Sequence, residues 1–151
     1  MLANYLSRLA TEYTHERVKS FTGSEFDDFV RHDIAVEAKK VLLLWPFELK
    51  VKASVGQGVW ASVPWLAFFD PLITETATKG FYVVYLINPD AQKITLSMNQ
   101  GTTAIYNDFG QSRGRDVLRC SIPDDHIDPR RSALFMARSL LREVRDGGRR
   151  C

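Results

Sequence analysis

An alternation of apolar and polar residues begins at residue 49 and predicts a β-hairpin. In residues 49–55 (LKVKASV) apolar side chains alternate with lysine or serine, which is the period of a half-buried strand with one basic face. The Gly-Gln-Gly sequence at 56–58 then predicts a turn, because glycine adopts positive φ without strain. Residues 59–69 predict a second, more apolar strand. Within it, Pro64 indicates an edge, a bulge or a bend, because proline has no N–H to donate.

Helical spacing of apolar residues predicts two helices before the hairpin. The first covers residues 2–19. The second begins after Ser24, a favourable N-cap followed by acidic residues, and runs to about residue 44. Pro46 follows, and proline cannot continue a helix.

Two more strands are predicted after the hairpin, over residues 81–87 and 93–98. The first is apolar almost throughout, which favours a central position in a sheet. Residues 102–121 allow several interpretations: a helix start at 103–106, a loop at 109–115, and a short strand or helix at 117–121. Apolar spacing predicts a last amphipathic helix over residues 129–145.

This order of elements predicts an α+β fold. We expect a mainly antiparallel sheet of four or more strands, with N-terminal and C-terminal helices packed on it. At 151 residues the chain fits a single domain, residues 1–151, with a substantial core, and we interpret it as the specificity module or a fragment of a larger protein. No apolar run approaches the ~20 residues of a membrane span, and no signal peptide precedes the first helix, so we expect a cytoplasmic location.

Charge is distributed unevenly along the chain. The net charge of +2 does not by itself imply nucleic acid, but all ten basic residues in 101–151 are arginine. Arginine suits bidentate contacts to phosphates and bases, although a solvated helix face explains the same pattern equally well. The candidate phosphate-binding residues are Lys50, Lys52, Arg113, Arg115 and Arg119.

Catalytic chemistry is poorly represented. Phosphate-binding loops, nucleophile elbows and zinc-protease motifs are all missing from the sequence. Asp124, Asp125 and His126 could form part of a metal-dependent site, but ligands so close in sequence rarely converge on one ion, and a solvated turn is the stronger interpretation. We therefore expect no cofactor and no metal, and a chain without catalytic activity of its own.

Binding chemistry is better represented, by aromatic residues near lysines and the glycine turn. Extruded or single-stranded bases stack on aromatic faces and sit near cations. The runs VKASVGQGVWASVPWLAFFDP and KGFYVVYLINPDAQKITLSMNQG, with the later FGQS at 109–112, together resemble the MrcB-like N-terminal domain family, to which the DNA-binding domain of the methylcytosine-dependent restriction protein McrB belongs. The resemblance covers residues 49–112, and its most specific part is the Gly-x-Gly turn followed by Pro-Trp.

The resemblance implies recognition of modified cytosine in double-stranded DNA by flipping of the base into a pocket. By position, the pocket walls would be Trp65, Leu86 and Phe109. The group entering the helix would be the turn with the tryptophan after it: Gly56, Gln57, Gly58 and Trp60. Gln57 stands where the best-known member of the family has an aromatic residue. The implied partners are modified DNA and a nuclease or NTPase domain or subunit of a restriction system, and no membrane is implied.

A rival hypothesis comes from a different class of function. A hairpin carrying Trp60 and Trp65 could dock on a partner protein, because tryptophan is enriched at the centres of protein interfaces. Binding to short duplexes with and without a modified cytosine separates the two hypotheses.

Overall fold

The computed structural model describes residues 1–43, 46 and 48–120, with side chains to Leu118. The predicted helix over 129–145 lies outside these residues, as do Asp124, Asp125 and His126. The described part is an α+β fold, a four-stranded antiparallel sheet with a helical layer before it and one helix after it, as the sequence predicts.

Helix α1 spans Leu2–Glu16 and buries Leu2, Leu6, Leu9, Ala10 and Tyr13 against the sheet and the following helix. The prediction that this helix continues to residue 19 is wrong. Its buried stripe stops at Tyr13, and Val18 is 82% exposed. Three further residues would therefore gain no packing, which supplies most of a helix's stability in a protein.

The second helical segment is continuous but not uniform. It consists of α2 (Glu25–Asp28), a π-helical segment (Phe29–Ile34) and α3 (Ala35–Leu42), so it ends two residues before the predicted position. Ser24 is the N-cap as predicted, since its hydroxyl accepts a hydrogen bond from the Asp27 N–H at 3.4 Å. The π-helical segment is not visible in the sequence pattern, and it packs against the first strand of the sheet.

The four strands follow one another in space in the same order as in the chain. They are β1 (Lys50–Gly56), β2 (Trp60–Phe69), β3 (Gly80–Asn88) and β4 (Lys93–Gly101), all antiparallel. All four strand predictions are confirmed to within three residues at their ends, and β3 is central as expected. Between the pairs Ser54–Trp65 and Gly56–Trp60, two steps along β1 correspond to five along β2. Pro64 lies in this bulge, which agrees with the interpretation drawn from its missing N–H.

The sheet has two different faces. One packs on the helical layer to form the main core, with Ala53, Val55, Leu66, Phe68, Val83, Tyr85 and Ile87 all buried. The opposite face carries a smaller cluster built on Ala67, Phe69 and Val84. No helix in the described residues is long and apolar enough to cross a membrane.

Helix α4 (Thr103–Cys120) is interrupted at Gly110, whose φ of 73° and ψ of 176° are not helical. Gly114 lies so close to Tyr106 that a Cβ on it would be 2.8 Å from the ring. Eight residues of straight helix span about 12 Å, so the chain must fold back at Gly110. The prediction of a loop over 109–115 is therefore wrong except at this one residue.

Candidate nucleic-acid interface

Trp65 and Leu86 are direct cross-strand neighbours on the sheet face away from the helical layer formed by α1 to α3. They are paired in the β2–β3 register, and both are half-buried against the cluster of Ala67, Phe69 and Val84. Side chains of directly opposed residues lie ~5 Å apart. The structure thus brings two of the three predicted pocket residues together, with part of each surface open to solvent.

Polar and basic side chains border this pair. By strand alternation, Lys52 on β1 and Thr95, Ser97 and Asn99 on β4 share its face. Among the described residues, no carboxylate lies within ion-pair distance of Lys52, which is exposed. Lys50, in contrast, forms an ion pair of 2.7 Å with Glu75. Lys52 is therefore the lysine whose charge is available to a ligand at this face.

The Gly-Gln-Gly turn depends on its glycines. Gly56 has a φ of +130°, and a Cβ there would lie 1.9 Å from the Val59 carbonyl oxygen. Gly58 has a φ of +73° but open space around it. The exposed side chains at the tip are Gln57 and Val59, the latter 73% exposed. Sequence reasoning missed Val59 by treating it only as the first residue of a strand.

The base of the hairpin is fixed to the helical layer by Tyr13 and Trp60. The Tyr13 hydroxyl lies 3.2 Å from the Val55 carbonyl oxygen and 2.6 Å from that of Ala61. The Trp60 indole N–H donates to the Lys19 carbonyl at 2.9 Å, and its ring makes edge contacts with Tyr13. The sequence predicts that Trp60 inserts together with the turn, whereas in the structure its indole anchors the strand on the core side.

Burial gives Tyr13 a perturbed titration. Its side chain is fully buried, and removal from water raises the pKa of the phenol to about 12, against the opposing influence of the Arg17 charge. The hydroxyl therefore remains a neutral hydrogen-bond donor throughout the physiological range, and its role here is structural.

The remaining predicted site residues lie on α4. Phe109 is 45% exposed immediately before the break at Gly110, and the Arg113 guanidinium lies 5.9 Å from its ring centroid. Arg115 borders a shallow depression of about 360 Å³ together with Gln111, Ser112 and Asp116. Within the described residues, Phe109 is not part of the cluster that holds Trp65 and Leu86. The Arg119 side chain lies outside the described part of the chain.

Metal-binding groups do not assemble at this interface. In residues 1–43, 46 and 48–120, no three His, Cys, Asp or Glu side chains lie close enough together to hold an ion. The side chains present instead offer stacking surface, hydrogen-bond donors and positive charge, which are the properties needed to hold a nucleic acid.

Comparison with known families identifies one matching domain. The model of the MrcB-like N-terminal domain matches residues 8–124, well over half of the chain. The chain belongs to the MrcB-like N-terminal domain family. This membership is compatible with an McrB-type restriction module. No curated protein and no solved structure matches the chain.

Proposed function

We propose that this domain is the DNA-binding specificity module of a modification-dependent (type IV) restriction system. It recognises a modified cytosine, such as 5-methylcytosine, by flipping the base into a pocket on the sheet face opposite the helical layer of α1 to α3. The observation that carries the proposal is the pairing of Trp65 with Leu86, both only partly buried, in a chain of this family. The nuclease or NTPase activity then belongs to another domain or subunit, in the cytoplasm.

The pocket must return the energy that flipping consumes. Extruding a base costs a few kcal/mol of stacking and pairing, and stacking on an aromatic side chain returns ~1–3 kcal/mol. In our proposal Trp65 supplies this surface, Leu86 contacts the modified position, and Phe109 closes the third side from α4. A buried methyl group contributes only ~0.8 kcal/mol, so discrimination depends on a close fit against Leu86.

The turn at 56–58 fills the space that the base leaves. Gln57 can hydrogen-bond to the orphaned partner base, and the adjacent Val59 can replace part of the lost stacking as an apolar wedge. The exposure of both side chains at the tip of a rigid hairpin supports this assignment. Trp60 contributes indirectly, by holding the strand beneath the tip.

Phosphate contacts orient the duplex without reading its sequence. We assign them to Lys50 and Lys52 on β1 and to Arg113, Arg115 and Arg119 on α4. Lys52 has the stronger support, because Lys50 must first release Glu75. Each such contact adds to the dependence of binding on salt concentration.

A panel of short duplexes tests the proposal directly. We expect tighter binding to duplexes with 5-methylcytosine or 5-hydroxymethylcytosine than to unmodified DNA, at every salt concentration from about 50 to 200 mM. Fluorescence from 2-aminopurine placed beside the modified base should rise as that base leaves the stack. Equal affinity for all duplexes, or no fluorescence change, contradicts base recognition by flipping.

The rival function, docking of the hairpin on a partner protein, also has an observation in its favour. Val59 and Val63 are 73% and 43% exposed, although neither tryptophan projects freely from the hairpin. Failure of the protein to bind any duplex, modified or not, at 50 mM salt would favour this alternative.

A further inference from the structure

Arg31 joins the helical layer to the Gly-Gln-Gly turn. Its guanidinium uses two different edges: Nε donates to the Asp27 carboxylate, one helical turn earlier, and Nη2 donates to the Gly56 carbonyl oxygen. Asp27 and Arg31 are only 18% and 28% exposed. A partly buried, charge-assisted pair of this kind is more rigid than an ion pair on an open surface.

The carbonyl that Arg31 holds lies where the strand ladder becomes irregular. The regular pairing of β1 with β2 is broken between Ser54 and Gly56. The Gly56 N–H instead donates to the Ser54 hydroxyl at 3.2 Å, and its carbonyl accepts from Arg31. Both backbone groups at the first residue of the turn therefore bond to side chains, and the Gly56 carbonyl oxygen also lies 3.4 Å from the Ser54 hydroxyl.

The helix that supplies Arg31 is π-helical at this position, over residues Phe29–Ile34. This segment packs directly against β1, and its buried side chains Phe29, Val30 and Ile34 fix it on the core. Segments of π-helix are frequent at functional sites, where they redirect side chains. Arg31 thus rests on a firmly packed element and reaches the first residue of the Gly-Gln-Gly turn.

We infer that Arg31, oriented by Asp27, is a positioning residue for the DNA-inserting turn. It fixes the Gly56 carbonyl before DNA arrives, so that Gln57 and Val59 enter the duplex without a further ordering cost. The inference rests on the proposed function for its effect on DNA, but the fixed turn is a property of the free protein. The two parts can therefore be tested separately.

The first test needs no DNA. Amide hydrogen exchange and backbone order parameters are compared for residues 56–59 in wild-type protein, Arg31→Gln, and the control Arg8→Gln. Arg8→Gln removes the same charge and also breaks a pair with an acidic residue one helical turn away, Glu12, but that pair is more exposed and its contacts lie within the helical layer. We expect faster exchange and lower order in the turn of Arg31→Gln only. An unchanged turn in that variant overturns the inference, whatever the protein binds.

The second test uses DNA and separates positioning from a phosphate contact. Both Arg31→Gln and Asp27→Asn should lower the preference for a 5-methylcytosine duplex over its unmodified twin by about tenfold, equivalent to ~1.4 kcal/mol. Each variant should leave the salt dependence of DNA binding nearly unchanged. Arg31→Lys should retain more of the preference than Arg31→Gln, because lysine keeps a charged donor for the Gly56 carbonyl oxygen. If Arg31 instead contacts a phosphate, Arg31→Gln should lower the salt slope by ~1 and Asp27→Asn should strengthen binding.

Two other outcomes have clear meanings. A lower melting temperature with the full preference kept in the folded protein would show that Arg31 only stabilises the fold, and would overturn the inference. If wild-type protein itself shows no preference, the proposed function fails, while the result of the hydrogen-exchange test still decides whether Arg31 fixes the turn.

Discussion

Replacing Trp65 with leucine tests the proposed pocket most directly. Leucine retains an apolar side chain against Ala67, Phe69 and Val84 but removes the flat aromatic surface on which a base would stack. Trp→Ala at a fully buried site costs ~3–5 kcal/mol. Because Trp65 is only partly buried and leucine keeps much of the contact, we expect Trp65→Leu to lower the free energy of unfolding by only ~1–2 kcal/mol.

The effect on binding should be of a different kind. Loss of stacking worth ~1–3 kcal/mol corresponds to a loss of about 5- to 150-fold in affinity for the flipped state. Unmodified DNA, held mainly through its phosphates, should be bound almost as well as before. The preference for modified DNA should therefore collapse while the salt dependence stays the same, since the phosphate contacts lie elsewhere.

The measurement pairs fluorescence anisotropy on modified and unmodified duplexes with chemical denaturation of the same sample. Tyr82→Leu is the matched control, because Tyr82 is half-buried on the same face but packs at the other end of the cluster, 5.2 Å from the Phe69 ring centroid. Tyr82→Leu should lower the free energy of unfolding about as much as Trp65→Leu does, but it should keep the preference for modified DNA. A folded Trp65→Leu protein with the wild-type preference would refute the pocket assignment.

Three further predictions concern charge, backbone and pH. Lys52→Ala should lower the slope of log affinity against log salt concentration by ~1 for modified and unmodified duplexes alike. Lys50→Ala should lower this slope less, because Lys50 is already paired with Glu75. Equal changes in slope would contradict the conclusion that, of these two lysines, only Lys52 has a charge freely available to DNA. Gly58→Ala should cost ~1–2 kcal/mol in denaturant unfolding, from its positive φ alone. Gly56→Ala should cost clearly more, because its Cβ would collide with backbone, and equal costs would contradict the turn geometry. Since the pKa of Tyr13 is raised to about 12 in the folded protein from 10.0, the unfolded chain loses this proton first as pH rises. Its stabilising contribution should be complete below pH ~10 and then fall by ~1.4 kcal/mol per pH unit towards pH 12, a loss that Tyr13→Phe should not show in the same titration.

Much of the sheet can be predicted from the sequence because side chains alternate between the two faces of a strand, which gives a half-buried strand a hydrophobic pattern with a period of two. The alternation in residues 49–55 separates Lys50 and Lys52 from the core-facing valines without any knowledge of the partners. Pro64 indicates the bulge because proline has no N–H to donate to a strand ladder, whatever residues surround it. The odd spacing of Trp60 and Trp65 also suggests opposite faces, a signal that could have separated the anchoring tryptophan from the tryptophan of the proposed pocket.

The tertiary structure decided which residues of different strands and helices become neighbours. No local pattern states that Leu86 pairs with Trp65, because register depends on the whole ladder and on the bulge that shifts it. The helical continuation of α4 past Gly110 depends on the contact between Gly114 and Tyr106, which exists only after the chain folds back. The link from Arg31 to Gly56 joins residues 25 positions apart, across two elements whose separation only packing sets. Sequence determined the elements and their faces because these follow from local sterics and burial, whereas the site formed between elements, where only the folded chain defines distances.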